Sequence, residues 1–289
     1  MASLPRAIPP FSKIPRFNAQ TILKKYGLHA DRNLGQNFLE DPVALEKIAS
    51  VAEIEKTDAV LEIGPGLGNL TRYLSLAARE VTAIELDAKL VAVLREILSS
   101  CPNVRLLHGD ILKLSPEKMG LPRNYVVAAN IPYNITSAII RHLLESEPKP
   151  RRIVLTVQKE IAQRICGRPP DMSLLALSVQ VYGTPSITAN IPAGAFFPAP
   201  RVDSAVVRIE IYPTARLEAQ ALENFFRFVR AGFSQKRKTL RNALSGGLRM
   251  STDQAGTLLA SAGIDPRRRA ETLSLEEWEI LSTQKIQSS

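Results

Sequence analysis

The sequence predicts an α/β fold: a Rossmann-like, parallel β-sheet with helices on both faces, followed by a small C-terminal helical domain. Three observations predict it. From Val60 to Gln158, short β-branched or apolar runs alternate with helical stretches, the rhythm of successive βαβ units. Four of these runs end at Gly64, Glu85, Asp110 and Asn130, which lie 21, 25 and 20 residues apart, about one βα unit each. Beyond Tyr212 the apolar residues change to helical spacing, with Leu222, Phe225, Phe226 and Val229. A chain of 289 residues suits one large domain and a smaller one.

Taken in order, residues 1–20 read as a flexible basic arm, because Pro5, Pro9, Pro10 and Pro15 forbid a continuous helix. The arm lacks the apolar stretch of a secretory signal, and its acid-poor, basic composition also suits an organellar transit peptide. Asp41 followed by Pro42 reads as an N-cap and first helical residue, with Leu45, Ile48 and Val51 as the apolar side. Strands follow at Ala59–Ile63, Val81–Glu85, Val104–His108, Tyr125–Ala129 and Ile153–Val157. Pro185, Pro192, Pro198 and Pro200 punctuate a short β-rich section before a late strand, Ser204–Ile211. The ligand-binding domain is thus placed at 21–212 and the helical domain at 213–289, with the boundary near Pro213.

Composition excludes several classes. No apolar run approaches the roughly 18 residues of a membrane span. Cys101 and Cys166 are far apart and have no His or Cys at metal-ligand spacing, so no metal is expected and a reducing, cytoplasmic setting is. His29, His108 and His142 share no spacing and receive no catalytic role. The net charge of +9 is segregated: residues 1–30 hold five basic residues and no acid, residues 149–168 six against Glu160, and residues 224–252 seven against none. A solvated surface intersperses its signs, whereas a polyanion-binding protein gathers one sign where it meets phosphates. The segregation points to a nucleic acid.

Residues at the C-terminal ends of parallel strands share one edge of the sheet, where open α/β folds bind ligands. Glu62-Ile63-Gly64-Pro65-Gly66-Leu67-Gly68 closes the first strand. Gly64 and Gly66 let the backbone turn tightly against a ligand. The spacing is not that of a dinucleotide loop, no phosphate-loop lysine follows, and Pro65 removes an amide donor. An uncharged or cationic ligand fits better than a pyrophosphate. Glu85 ends the second strand where an acid accepts from two ribose hydroxyls. Asp110 ends the third, where its carboxylate suits an adenine amino group and the Ile111 N–H a ring nitrogen; a helix N-cap is the other role open to it.

Asn130-Ile131-Pro132-Tyr133 closes the fourth strand and resembles the (Asn/Asp/Ser)-Pro-Pro-(Tyr/Phe) motif of amino-group methyltransferases, with Ile in second place. An adenine amine is a poor nucleophile because its lone pair is delocalised into the ring. The Asn130 carbonyl and the Ile131 C=O suit its two hydrogens, Pro132 stiffens the turn, and Tyr133 suits stacking on the base.

With these motifs in place, the chain resembles the KsgA/Dim family of small-subunit rRNA adenine dimethyltransferases from about residue 20 to 285. Leu34-Gly35-Gln36-Asn37-Phe38-Leu39, Gln158-Lys159-Glu160, Phe197-Pro198-Ala199-Pro200-Arg201-Val202-Asp203-Ser204 and Phe233-Ser234-Gln235-Lys236-Arg237-Lys238-Thr239-Leu240-Arg241-Asn242 are similar to family blocks. Asn37 stands where the family often has His, Arg201 where it has Lys, and Trp278 where it commonly has Phe. The resemblance implies a class I methyltransferase sheet and S-adenosylmethionine as cofactor. It also implies methylation of N6 on two adjacent adenines near the 3′ end of 16S-type rRNA in the immature small subunit, by a monomer.

In that reading Gln36, Asn37 and Leu39 fold over the methionine end, with Gly64, Gly66, Glu85, Asp110, Ile111 and Asn130 completing the cofactor site. Phe197 stacks on the adenine opposite Tyr133. Lys236, Arg237, Lys238 and Arg241 begin a helix that docks RNA, with Leu240 and Leu244 on its buried side. Three alternatives stay open: an Erm-type large-subunit methyltransferase, a non-catalytic ribosome-assembly or organellar transcription factor on the same scaffold, and an NAD-dependent oxidoreductase. The glycine spacing and the segregated charge disfavour the last.

Overall fold

The computed structural model describes residues 14–284, so the reading of residues 1–13 of the arm lies outside the described residues, whereas residues 14–20 are not a free arm: Ile14 packs on the core, the Pro15 carbonyl accepts from Arg72, and Ala19 opens a helix. By internal contacts the chain divides into two compact units. One comprises the residues up to Ala162 with Ser186–Ile211, the other Gln163–Pro185 with the residues from Tyr212 on.

In the first unit the chain forms α1 (Ala19–Lys25), β1 (Phe38–Leu39), α2 (Pro42–Val51), β2 (Ala59–Ile63), α3 (Asn69–Ala77), β3 (Glu80–Glu85), α4 (Ala88–Ile97), β4 (Val104–His108), β5 (Val126–Asn130), α5 (Thr136–Glu145) and β6 (Arg152–Gln158). Next come α6 (Lys159–Ile165), α7 (Leu174–Gln180), β7 (Gly183–Ile191), β8 (Phe196–Phe197) and β9 (Ser204–Ile211). Seven strands form one sheet in the order β4-β3-β2-β5-β6-β9-β7. β2 to β6 pair in parallel, and β9 runs antiparallel to β6.

Every residue of β2 is buried, as are Val126–Ala129 of β5. A strand buried at successive positions must be covered on both faces, which is why these strands read as continuous apolar runs. On one face Val60, Val126, Val154 and Val206 share a core with Leu45 and Ile48 of α2 and Leu70 and Leu74 of α3. Asp41 caps α2 by accepting from the amides of Val43 at 2.7 Å and Ala44 at 3.0 Å, with Pro42 as the first helical residue.

The second unit is a helical cluster of α8 (Ala219–Phe233), α9 (Leu240–Leu248), α10 (Thr252–Ser261) and α11 (Leu275–Thr283). Residues 163–185, which the sequence places within 21–212, belong to this cluster by contact. The reason is apolar: Met172, Ala176, Leu177 and Val181 are buried in one core with Phe228 and Leu244. Ser251 and Ser274 start α10 and α11 with reciprocal capping boxes closed by Gln254 and Glu277.

One expectation is corrected here. Lys236, Arg237 and Lys238 do not begin a helix; they lie in a turn closed by Lys238 N–H to the Gln235 carbonyl at 3.0 Å. Thr239, at φ −64° and ψ 155°, is the N-cap of α9. The three cations thus lie in the connection between the C-cap of α8, Ser234, and the N-cap of α9, Thr239. Leu240 and Leu244 are buried as expected.

Trp278, where the family commonly has Phe, is fully buried and stacks on Phe233 with ring centroids 5.8 Å apart. The indole has room because residue 232 is glycine: a Cβ there would lie 2.3 Å from Trp278 Cη2. Gly232→Ala is therefore expected to lower stability by about 1–3 kcal/mol through overpacking, and adding Trp278→Phe should recover part of the loss. Urea unfolding midpoints of the two variants check this; an alanine variant as stable as the parent would mean that the indole moves freely.

Candidate active site

The chain leaves β2 toward β3 and β4 on one side and returns to β5 on the other, so the C-terminal ends of β2 and β5 flank the switch point where an open α/β sheet binds its ligand. A cavity of about 190 Å³ lies there. Gly64, Glu85, Asp110 and Asn130 all line it, together with Gln36, Asn37, Leu39, Gly66, Ile111, Pro132 and Tyr133.

The glycine loop is built by sterics. Gly64 and Gly66 take φ of +66° and +62°, where a side chain is strained. A Cβ on Gly66 would also lie 3.0 Å from Cδ1 of Phe38. The Gly66 N–H donates to Glu85 Oε2 at 3.1 Å, and the Asp87 N–H to Glu85 Oε1 at 2.9 Å. Glu85 is therefore fixed at the end of β3 by two backbone donors while each oxygen keeps acceptor capacity. Burial pushes its carboxyl above the ordinary value, against the pull of those amides.

The segment before β1 is tied to the same place. Gln36 Nε2 donates to Asp87 Oδ2 at 3.0 Å, and Gln36 Oε1 accepts from the Asp31 N–H at 2.8 Å. Asn37 turns its side-chain amide back to the Gly35 carbonyl at 3.2 Å, and its own carbonyl accepts from Asn130 Nδ2 at 3.0 Å. The Leu39 carbonyl accepts from Asn69 Nδ2 at 2.7 Å. Asp110 does cap the short 3-10 turn Ile111–Lys113, accepting from the Leu112 N–H at 3.0 Å, and still lines the cavity.

Asn130 has its donor consumed and its acceptor left over: Oδ1 is buried with no hydrogen-bond partner. Tyr133 is half-buried, and its hydroxyl lies 2.7 Å from Ser204 Oγ. Of the Phe196–Phe197 pair, Phe196 is in the core and Phe197 is partly buried, paired across from Phe38 in the β1–β8 ladder. Phe197 lies outside the cavity lining. Lys236, Arg237, Lys238 and Arg241 belong to the second unit, where all four are exposed and none is ion-paired among the described residues.

The basic window 149–168 behaves differently. Lys149, Arg151 and Arg152 pair with Glu147, Asp58 and Glu53, and Arg152 also pairs with Glu210. Half of that window's cations are held by carboxylates of the same unit.

Two residues that the sequence reading did not select stand out. Glu62, inside β2, lines the cavity with Oε2 buried and unpartnered, and Asn69 does so with Oδ1 in the same state. The signal for Glu62 was its position: a carboxyl amid the apolar run Ala59–Ile63 is costly unless a ligand uses it. The lining thus carries three carboxyls, Glu62, Glu85 and Asp110, and neither lysine nor arginine. With Glu62 held protonated by burial, it is Glu85 and Asp110 that make this wall repel phosphate. Orphaned acceptors at Glu62, Asn69 and Asn130, with a glycine-floored cradle, fit a ligand that brings donors and positive charge, as S-adenosylmethionine does with its ammonium and sulfonium groups.

Burial pushes the Glu62 carboxyl up to about 8, against the pull of the nearby Thr71 hydroxyl and with the negative charge of Glu85 adding to the rise. The folded protein therefore holds a proton that the unfolded chain has released between pH about 4.5 and about 8. Stability should be full below that window and fall as pH rises through it. Glu62→Gln should flatten this fall in the cofactor-free protein. Thermal midpoints measured across the window check it, and an unchanged pH profile would place the titration elsewhere.

Residues 27–285 match the ribosomal RNA adenine dimethylase family. Ribosomal RNA small subunit methyltransferase A of Dehalococcoides mccartyi (strain CBDB1) is 49% identical over 264 residues, covering 91% of each chain. Its namesake in Moorella thermoacetica (strain ATCC 39073) is 41% identical over 272 residues, covering 90% of this chain and 94% of its own. Among solved structures, the 23S rRNA methyltransferase ErmE superposes with a TM-score of 0.70 at 32% identity, covering 85% of this chain and 98% of its own. A dimethyladenosine transferase from Plasmodium falciparum gives a TM-score of 0.73 at 26% identity, covering 84% and 95%. The sheet is accordingly that of the class I methyltransferases, and the chain belongs to the ribosomal RNA adenine dimethylase family.

Proposed function

We propose that this protein transfers methyl groups from S-adenosylmethionine to N6 of two adjacent adenines near the 3′ end of small-subunit rRNA, acting as a cytoplasmic monomer on the immature small subunit. The observation that carries the reading is the buried, unpartnered Oδ1 of Asn130 in the lining of an acceptor-rich cavity. The cofactor, when bound, supplies a methyl group already activated on a sulfonium sulfur.

Glu85 holds the ribose hydroxyls, Asp110 and the Ile111 amide the adenine moiety, and Gln36, Asn37, Leu39, Gly64 and Gly66 enclose the remainder of the cofactor. The Asn130 Oδ1 and the Ile131 carbonyl accept the two N6 hydrogens of the target. Drawing them out of the ring plane returns the lone pair to nitrogen. Pro132, at φ −58° and ψ 132°, keeps the turn stiff. Tyr133 stacks on one face of the base and Phe197 on the other. Orientation carries the rate, and the proton lost from N6 passes to water. Curated relatives named for the small subunit are more similar in sequence than ErmE, which favours the small over the large subunit.

The deciding experiment is mass-spectrometric mapping of N6-methylated adenosines in immature small subunits after incubation with protein and cofactor. Two adjacent dimethyladenosines are expected; methylation confined to large-subunit rRNA would overturn the reading. At saturating cofactor and RNA, Asn130→Ala should slow single-turnover methylation on the order of a hundredfold, the scale for removing one transition-state hydrogen bond.

Lys236, Arg237, Lys238 and Arg241 meet RNA phosphates, and Arg227, Arg230 and Arg249 extend the same acid-free window. Replacing Lys236, Arg237 and Lys238 with Glu should weaken binding to immature subunits and flatten its salt dependence, by about 0.7 in log–log slope for each single-strand phosphate no longer neutralised. Cofactor affinity should not change. Titration at several salt concentrations reads both quantities, and normal binding at physiological salt would move the docking role elsewhere.

A further inference from the structure

We infer that Ser204 is a positioning residue for methyl transfer: its hydroxyl holds the Tyr133 ring in the orientation on which the target base stacks. The inference rests on the role proposed above for Tyr133.

The two side chains come from opposite sides of a strand. Tyr133 follows β5, Ser204 opens β9, and β6 lies between them in the sheet. Their oxygens are nevertheless 2.7 Å apart. Ser204 is the fixed partner. It is fully buried, its backbone is in register with Gln158 at the end of β6, and the preceding residue is pinned on both sides. The Asp203 carbonyl accepts from the Lys159 N–H at 3.0 Å, and Asp203 Oδ1 accepts from the Ala193 N–H at 3.0 Å.

Tyr133 is the one that needs fixing. It stands on a three-residue 3-10 turn, Tyr133–Ile135, whose backbone closure from the Ile135 N–H to the Pro132 carbonyl is long at 3.4 Å. The ring is half-buried on the cavity wall, so one part of it faces open space. A phenol anchored only by packing would swing about its two side-chain torsions, and a stacking platform aids catalysis only if its plane is set in advance. The Ser204 hydroxyl fixes the far end of the ring axis, and because a phenolic O–H prefers the plane of its ring the same bond biases that plane, without occupying the face offered to the base. Burial raises the Tyr133 phenol above its ordinary value while the Ser204 hydroxyl pulls it down, so the same hydrogen bond has a spectroscopic signature.

A net hydrogen bond of this kind is worth a factor of about three to ten in rate. In full-length protein, Ser204→Ala and Tyr133→Phe should each slow single-turnover methylation of immature subunits by that factor at saturating cofactor and RNA, with cofactor affinity unchanged. The double variant should be no slower than either single variant, because both remove the same hydrogen bond. Ser204→Thr, which keeps the hydroxyl, should restore the rate. Ultraviolet difference titration should show the Tyr133 phenol ionising at higher pH in Ser204→Ala.

A wild-type rate in Ser204→Ala, or a double variant whose loss is the product of the two single losses, overturns the inference. If Ser204→Ala fails to fold, Tyr133→Phe decides, since it keeps the ring and loses only the anchor; a wild-type rate there also overturns it. Asn130→Ala measured alongside separates the two levels. If it is slow while Ser204→Ala and Tyr133→Phe are not, only this inference fails; if it is fast, the reading of the site falls and takes the inference with it.

Discussion

The hydrogen bond from Asn130 Nδ2 to the Asn37 carbonyl is the interaction on which the site depends. An amide side chain has a donor end and an acceptor end, and consuming the donor determines which way the acceptor points. Here the side-chain amide nitrogen is committed to the segment before β1, and Oδ1 remains buried and unpaired on a residue that lines the cavity. Leaving a buried acceptor unpaired costs roughly 1–3 kcal/mol, and a target amine recovers that cost. The same bond ties the Leu34–Leu39 segment to the end of β5, so the part proposed to enclose the cofactor and the part proposed to activate the amine are set by one interaction.

Around that hydrogen bond the site is arranged by charge. Glu85 and Asp110 put carboxylates on a cavity that no lysine or arginine lines among the described residues, which a nucleotide phosphate would find repulsive and a sulfonium or ammonium group attractive. Glu62 shows the cost of the arrangement, since its carboxyl is pushed up to about 8 by burial. The glycine loop contributes backbone amides, but one of them is committed to Glu85 and Pro65 has none to give. This loop therefore orients an acid instead of cradling a phosphate.

Positive charge has been kept away from this wall and sorted by use. In the window 149–168, Arg151 and Arg152 are held by Asp58, Glu53 and Glu210 in the sheet unit and act in packing. In the helical unit, Lys236, Arg237, Lys238 and Arg241 are exposed without carboxylate partners among the described residues. Two basic windows of the sequence thus end in different surroundings, one half-paired with carboxylates and the other with Lys236, Arg237, Lys238 and Arg241 exposed.

Much of this was legible in the sequence because its causes are local. β-branched runs, the Asp41-Pro42 cap and the spacing of Gly64, Glu85, Asp110 and Asn130 are dictated by backbone geometry and by periods of two and 3.6 residues. Ala59–Ile63, Val104–His108 and Ser204–Ile211 were read to the residue, and all the expected cofactor-binding residues line one cavity. What only the tertiary structure decided depends on partners distant in the chain. Residues 163–185 join the helical unit because of where their apolar side chains find a core. The cations 236–238 lie outside a helix because α9 starts only at Leu240, whose side chain is buried in the helical core. Glu62 and Ser204 gain their meaning only from the cavity and from Tyr133, 71 residues away from Ser204. Composition shows that a charge or hydroxyl is present; only folding determines whether it meets a partner, a ligand or water.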